Sequence, residues 1–227
     1  MAAPSSSEGA VADKVDLKRT LDAYQARRGE IRVLDVPDTR YLMIDGHGDP
    51  NTSPAFAEAV AALYPVAYAV KFASRTDLGR DYVVPPLEGL WWAEDMASFT
   101  AARDKSRWDW TLMLMVPEWL GEDAVATAIE RVAAKSRPAR LDDVRTETLS
   151  EGRCVQTLHV GTFDSEAEVL AHLHEEFIPG HGFRMTGKHH EIYLSDLRRV
   201  APEKQRTVLR QPVVPAGYPV RPQSRKP

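Results

Sequence analysis

The order of apolar patterns along the chain constrains its fold most strongly, because the same order occurs twice. In the first half, two β-rich runs in IRVLDVPDTRYLMIDG precede an amphipathic helix, and the alternating segments YVVPPLEGLWW and WDWTLMLMVP follow it. In the second half, RCVQTLHVG precedes a helix and two further strands. A helix predicted over 119–135 links the halves. The pattern predicts an α+β protein with two strand-helix-strand-strand modules.

Local signals support these modules. The segment 87–92 stands in the first half where 190–194 stands in the second, and each is followed by a charged loop and the last strand. Pro65 predicts a break or kink in the first helix, because an interior proline loses a hydrogen bond and clashes with the preceding turn. Ser165 and Glu168 have the spacing of a capping box, which predicts the start of the second helix.

Composition limits the classes of function. The chain has 227 residues, a hydrophobic share of 43% and a formal net charge of -4, so no basic footprint for nucleic acid is expected. Cys154 is the single cysteine, which favours a reducing, cytoplasmic setting. No signal peptide and no run of about 18 apolar residues is evident, so no membrane partner is expected. We expect disorder over 1–14 and 214–227, and a monomer or weak homodimer.

Three stretches of the chain resemble the GyrI-like small-molecule-binding family. They are YLMIDGHGDPNTSPAFAEAVAALY, VPPLEGLWW with WDWTLMLMVPEW, and HHEIYLSDLRRVAPEKQRTVLRQPV, of which the last is the most specific because it is a long ordered string. The resemblance implies two modules related by a pseudo-twofold axis, with antiparallel sheets that form one ligand groove and helices on the opposite faces. It implies one domain over 15–213, with repeats at about 31–117 and about 152–213.

The resemblance also implies a function. Family members include the ligand-binding halves of multidrug-responsive regulators, and stand-alone members that hydrolyse the cyclopropane ring of DNA-alkylating antibiotics. Only about 30 residues precede the first strand here, too few for a fused DNA-reading domain. The implied protein binds planar hydrophobic or cationic compounds and hydrolyses a strained ring without a cofactor or metal. The alternative is a non-catalytic multidrug-binding sponge or sensor, whereas inhibition of gyrase rests on the family name alone.

Glu191 is the candidate for the central carboxylate. Strand alternation places His189, Glu191 and Tyr193 on one face and Ile192 and Leu194 on the other. We expect the apolar pair to face the helices, which leaves Glu191 on the groove face, where the resemblance implies the key carboxylate. Among aromatic groups such a carboxylate is either a stronger base or the partner of a ligand cation. We predict His189 and Tyr193 as further ligand contacts.

Tryptophan side chains are the candidates for the walls of the groove. Glu88 and Trp92 share one strand face, and Trp110 lies on the next strand. These three residues are predicted to contact ligand, with Glu88 as a second carboxylate. Trp91 and Trp119 are predicted to be core residues.

Two tyrosines on the first helix complete the predicted site. Tyr64 and Tyr68 are four residues apart around Pro65, and a kink would aim both at the groove. Tyr68 is predicted to assist catalysis by protonating a developing oxyanion, and Tyr64 to contact ligand. The histidine pairs predict no metal site, because neighbouring strand residues point to opposite faces.

Overall fold

The computed structural model describes residues 14–94, 104–196 and 199–217. Within these ranges the strands are β1 Arg32–Val36, β2 Thr39–His47, β3 Leu87–Trp92, β4 Asp109–Met115, β5 Arg145–Leu149, β6 Gly152–Val160, β7 Phe183–Met185, β8 His189–Tyr193 and β9 Arg206–Pro215. The helices are α1 Leu17–Thr20, α2 Pro54–Leu78, α3 Glu122–Lys135, α4 Ala167–Ala171 and α5 Ile178–Gly180. A π-helical stretch, His172–Phe177, joins α4 to α5.

The strands form one antiparallel sheet in the order β1-β6-β9-β8-β3-β4-β2-β5, with β7 added beside β9. The first module is β2, α2, β3 and β4; the second is β6, the helical segment 163–180, β8 and β9. The order β6-β9-β8 mirrors the order β2-β4-β3, and β8 pairs with β3 at the centre. The predicted fold class is therefore confirmed, with the refinement that the two module sheets join edge to edge.

The sheet curls until its two outer edges meet. Only two residues separate β1 from β2, and two separate β5 from β6, so each link spans at most about 10 Å. Eight strands laid flat would hold those edges about 34 Å apart. The pairing of β1 with β6 also continues into the pairing of β2 with β5. Val36 at the end of β1 lies opposite Gly152, and Thr39 at the start of β2 lies opposite Leu149. The sheet therefore has an inner face, which carries Met43, and an outer face.

Helices cover the outer face. In the first module α2 and α3 pack on β2, β3 and β4; the most buried contributors are Leu42, Ile44, Leu112, Leu114, Ala59, Leu63, Val66, Val70, Val125 and Val132. In the second module Leu173 and Ile178 pack on Val155 and Val213. The central strands β3 and β8 lie between these two helical layers.

Side chains and the N-terminal segment fill the inner face. Tyr24 packs there on Leu158, Ile192 and Val208. A separate cluster on the same face includes Tyr41, Met43, Leu90 and Met113. This face is thus buried without a long helix above it.

Several local predictions need correction. Helix α2 is continuous through Pro65, so the predicted break is absent. Helix α3 begins at Glu122 rather than at residue 119, because Pro117 and Gly121 precede it in a turn. The Ser165 hydroxyl donates to the Thr162 carbonyl instead of forming a capping box.

The predicted ends of the domain also differ from the structure. Strand β9 continues to Pro215, because its last residues pair with β7, so ordered structure extends past residue 213. Residues 1–13 and 218–227 lie outside the described residues, as does most of the loop predicted between β3 and β4.

Helix α2 also qualifies as a membrane span by length and composition alone, which the sequence analysis did not expect. The helix has 25 residues, and the mean hydropathy of its most apolar 18-residue window is 1.3. Here its buried stripe, which includes Ala59, Leu63 and Val66, packs on the sheet. A helix that packs on the core of a protein can meet the same criteria of length and composition.

We predict that Gly46→Ala destabilises the protein by about 2 kcal/mol or more, because a Cβ at position 46 collides with the indole of Trp110. Chemical denaturation measures the free energy of unfolding. Gly180→Ala is the matched control, since a Cβ there meets no atom within 4 Å. Equal stability of the two variants would contradict the prediction.

Candidate functional site

Glu191 lies at the centre of the sheet, on the outer face, between α2 and the helical segment 163–180. Its side chain is only 13% exposed. The predicted alternation of β8 is correct, but the predicted assignment of its faces is wrong: Glu191 shares the face that carries the long helices. Ile192 points to the inner face, where Tyr24 covers it. The sequence pattern does not reveal that a second apolar layer, from the N-terminal segment, exists.

A chain of two hydrogen bonds fixes the Glu191 carboxylate. The hydroxyl of Tyr193 donates to Oε2 of Glu191 at 2.8 Å, and the indole N–H of Trp91 donates to that hydroxyl at 3.1 Å. Burial, reinforced by the charge of Glu191, raises the pKa of Tyr193 well above its usual value. Tyr193 therefore stays protonated and acts as a donor. The Oε1 atom accepts no hydrogen bond and lies toward His189.

Gly89 provides the space for this arrangement. It lies directly opposite Glu191 in the pairing of β3 with β8. A Cβ at position 89 would lie 2.8 Å from the indole nitrogen of Trp91 and 3.1 Å from the hydroxyl of Tyr193. The absence of a side chain at this position thus lets the indole N–H of Trp91 reach the Tyr193 hydroxyl that holds the carboxylate.

Two histidines lie beside the carboxylate. Nε2 of His189 is 3.6 Å from Oε1 of Glu191, and the ring of His189 meets that of His174 edge to face at 5.7 Å. Both ring nitrogens of His189 and Nε2 of His174 are buried without a hydrogen-bond partner. Burial, and then the proximity of His189, lowers the pKa of His174 to about 4, so it is neutral near pH 7. Unpartnered buried nitrogens are costly and typical of groups that await a ligand or water.

Aromatic rings from several elements surround the carboxylate. Phe163 contacts Tyr193 edge to face at 5.8 Å, and Trp108 contacts Trp91 at 5.9 Å. Phe56 of α2 lies 6.3 Å from Trp91, with the rings stacked. The sequence predicts Trp91 as a core residue. No pattern in the sequence indicates Phe163 or His174 as site residues, because only the fold brings them to the site.

Three predicted ligand contacts lie elsewhere. Trp110 is fully buried in the first-module core and donates to the Gly48 carbonyl. Glu88 and Trp92 belong to the inner face, because they alternate with Trp91 along β3. None of the three adjoins Glu191.

The predicted tyrosines lie on α2. Tyr64 is half-buried against the first-module core. Tyr68 is 46% exposed, and its ring lies between those of Tyr64 and Phe72 along the helix. Helix α2 continues through Pro65, and no hydrogen bond joins the described side chains of Tyr68 and Glu191.

Glu88 belongs to a separate, fully buried cluster on the inner face. Its carboxylate accepts hydrogen bonds from Tyr24 at 2.6 Å, Tyr41 at 3.3 Å and Nε2 of His190 at 2.9 Å. Nδ1 of His190 lies 2.9 Å from Glu151. The cluster thus links β8 to β3 through the imidazole of His190, and β3 to β2 through the hydrogen bond between Tyr41 and Glu88.

Glu151 extends the cluster to β9. It accepts a hydrogen bond from Arg210 at 2.8 Å, and Arg210 also donates to Gln156. Two carboxylates therefore balance one guanidinium and one imidazolium. Burial favours the neutral forms, but His190 and then Arg210 lower the pKa of Glu151 to about 2. Burial likewise opposes the charge of His190, yet Glu151 and Glu88 raise its pKa to about 9.

Other reactive groups offer little. Burial raises the pKa of the Cys154 thiol to about 12, so the thiolate is unpopulated near neutrality. Across 14–94, 104–196 and 199–217, no group of three or more His, Cys, Asp or Glu residues is arranged to hold a metal ion.

Comparison with known proteins supports the fold and gives the family. The sequence matches the GyrI-like small molecule binding domain over residues 29–214. An uncharacterized conserved protein from Listeria innocua is 38% identical with a TM-score of 0.80, and the match covers 88% of this chain and all of that one. Two Listeria innocua structures described as hydrolases are 36% identical, with TM-scores of 0.76 and 0.78 and the same coverage. No curated protein sequence matches the chain significantly.

The duplicated strand-helix-strand-strand module is the fold of a class of small-molecule-binding domain. The family match spans most of the chain, and the structural neighbours share its full fold. The chain belongs to the GyrI-like small-molecule-binding domain family.

We predict that stability falls as pH rises from about 6.5 to about 9. The pKa of His190 is raised on folding, so its contribution is complete below 6.5 and is lost as pH passes through about 9. The loss is about 3 kcal/mol, since one pKa unit corresponds to about 1.4 kcal/mol. Denaturation at a series of pH values measures it. His190→Asn should abolish this slope, and His47→Asn, at a 64% exposed position, should retain it.

An NMR titration of the His190 ring provides an independent check. A midpoint near 9 in the folded protein agrees with the cluster geometry. A midpoint at or below 6.5 would mean that the two carboxylates do not hold the imidazolium.

Proposed function

We propose that this protein is a hydrolase in which Glu191 activates water to open a strained cyclopropane ring in planar, electrophilic compounds such as DNA-alkylating antibiotics. The observation that carries the proposal is the geometry of Glu191. Its carboxylate is 13% exposed, Oε2 is held by Tyr193, and Oε1 accepts no hydrogen bond. The hydrolase descriptions of two relatives at 36% identity agree with the reaction class.

Binding of a planar compound rests on the rings around the carboxylate. Tyr193 contacts Glu191 directly, Trp91 and Phe163 contact Tyr193, and Trp108 extends the aromatic surface from Trp91. A flat conjugated molecule gains contact area and offset stacking from such rings. The same compound would expose its ring carbon to the carboxylate of Glu191.

The proposed reaction consumes one water molecule. Oε1 of Glu191 takes a proton from water while the water oxygen bonds to a cyclopropane carbon. The ring C–C bond breaks, and its electron pair passes into the conjugated carbonyl, which becomes a phenolate. The proton held by Glu191 is then transferred through solvent to the phenolate, which regenerates the carboxylate. Ring strain and aromatisation lower the barrier, so one positioned base, worth about a hundred-fold or more, suffices without a cofactor.

Two neighbouring residues position the base. Tyr193 fixes the carboxylate through Oε2, and Trp91 fixes Tyr193, so Oε1 keeps one orientation. His189, 3.6 Å from Oε1, is placed to contact the attacking water or the developing charge. Tyr68, proposed from the sequence as the proton donor, has no contact with Glu191; we therefore assign the supporting hydroxyl to Tyr193.

We predict that the purified protein converts a spirocyclopropane compound of the duocarmycin kind to a product heavier by one water. Glu191→Gln keeps the shape of the side chain but removes its basicity, so the rate should fall about a hundred-fold or more. Liquid chromatography with mass detection measures both. Glu130→Gln, on the exposed side of α3, is the control and should be fully active.

The second candidate function is a sponge or sensor without chemistry. In that case the compound binds saturably to wild-type protein and its mass does not change. Saturable binding with unchanged mass over prolonged incubation would overturn the hydrolase proposal.

A further variant separates Tyr193 from Tyr68. Tyr193→Phe removes the donor to Oε2, and we predict a loss of about ten-fold or more in kcat, because the base loses its fixed orientation. Tyr68→Phe should retain kcat within about three-fold, since its ring stays on α2 while the hydroxyl does not reach Glu191. Single-turnover measurements at saturating substrate compare the two. The reverse ranking would restore the catalytic role predicted for Tyr68 from sequence.

A further inference from the structure

A cavity lies on the inner face of the curled sheet, away from Glu191. Its volume is about 310 Å³. The walls come from β2, β3, β4, β5, β9 and the links around residues 150 and 187; the lining residues that matter here are Met43, Leu90, Leu149, Pro212, Arg145 and Lys188. We propose that this cavity binds a small organic carboxylate with an apolar body, whose anionic group contacts Lys188.

The size and the apolar lining set the body of the ligand. Met43, Leu90, Leu149 and Pro212 supply aliphatic surface. A volume near 310 Å³ is at the lower end of the range for small-molecule sites, and the mouths of curled or closed sheets are common places for them. A single ring or a branched chain fits better than an extended polycyclic drug.

Two of the charged residues in the lining are already neutralised. Glu151 is held by His190 and Arg210, as described above. Arg145 donates to Asp45 at 3.0 Å and to Glu147 at 3.0 Å. These groups therefore leave little demand for a charged ligand.

Lys188 differs from them. Its Nζ lies 3.1 Å from the centre of the Trp92 ring, and within the described part of the chain no carboxylate forms an ion pair with it. Burial and then the charge of Arg145 lower the pKa of Lys188, and the more distant charges of Asp45, Glu147 and Asp109 only partly oppose this effect. A half-buried ammonium of this kind gains from a direct anionic partner, which a carboxylate ligand supplies.

The ligand class follows from the remaining groups. The hydroxyls of Ser150 and Thr186 line the same cavity as Lys188 and can donate to a carboxylate. The available carboxylate for a ligand cation is that of Glu147, which Arg145 already contacts. A monoanion is therefore favoured over a cation. Because residues 188 and 190 point to the inner face while Glu191 points outward, this site is separate from the proposed catalytic one.

The test uses full-length protein and 4-fluorophenylacetate as the probe, observed by ¹⁹F NMR. We expect saturable binding of the acid in the millimolar range or tighter, and affinity at least about ten-fold weaker for the neutral 4-fluorophenylacetamide. Lys188→Met should weaken binding of the acid by about ten-fold or more, while Lys188→Arg retains it within about three-fold. Ser150→Trp, at an exposed position, should block the cavity without unfolding the protein.

Glu191→Gln separates this proposal from the proposed hydrolase. It should leave binding of the acid unchanged, even if the protein has no hydrolytic activity at all. Thermal denaturation of each variant confirms that it is folded. The proposal is overturned if the acid does not bind, if the amide binds equally well, if Lys188→Met has no effect in a folded protein, or if Glu191→Gln abolishes binding.

Discussion

The pairing of β3 with β8 is the interaction on which the rest of the structure depends. It joins two modules that each leave a strand edge unpaired, and its register sets Gly89 opposite Glu191. Without a side chain at position 89, Trp91 of β3 can donate to the hydroxyl of Tyr193, which in turn donates to the Glu191 carboxylate on the same strand. A shift by one residue would send Glu191 into the inner face and His190 outward, because strand faces alternate. The site is therefore a property of the junction, and neither module contains it alone.

The inner cluster explains why this register is stable. His190 lies between Glu88 of β3 and Glu151 of the link before β6, and all three side chains are buried. Breaking one member of such a cluster leaves an uncompensated charge at a cost of several kcal/mol, so an altered pairing is strongly disfavoured. The imidazole of His190 thus fixes β8 on the inner face, while Tyr193 fixes Glu191 on the outer face. Adjacent residues of one strand perform the structural and the chemical tasks on opposite faces.

Much of the architecture could be predicted from sequence, because apolar periodicity and two helices of similar context repeat in order. The alternation of β8 was correctly predicted as well. What periodicity does not give is which face the helices cover, and here both faces are buried, so Ile192 was assigned to the wrong layer. The same ambiguity placed Glu88 and Trp92 beside Glu191. The sequence predicts Trp91 as a core residue, and its side chain is indeed almost fully buried. Its hydrogen bond to Tyr193 could not be predicted, because the two residues are 102 positions apart in the sequence.

The geometry of Glu191 also bears on the choice between a base and a trap for cations. A trap is favoured by a carboxylate whose two oxygens both face the ligand, with aromatic faces around them. Here Tyr193 occupies Oε2, so only Oε1 can face a ligand, although the charge of the buried Glu166 also acts on Tyr193. This arrangement reduces the attraction for a cation but fixes the direction of Oε1, which a general base requires. The buried, unpartnered nitrogens of His189 and His174 need a polar partner, and a water molecule beside Oε1 meets that need better than a lipophilic cation does. These effects support the proposed hydrolysis over the alternative of storage.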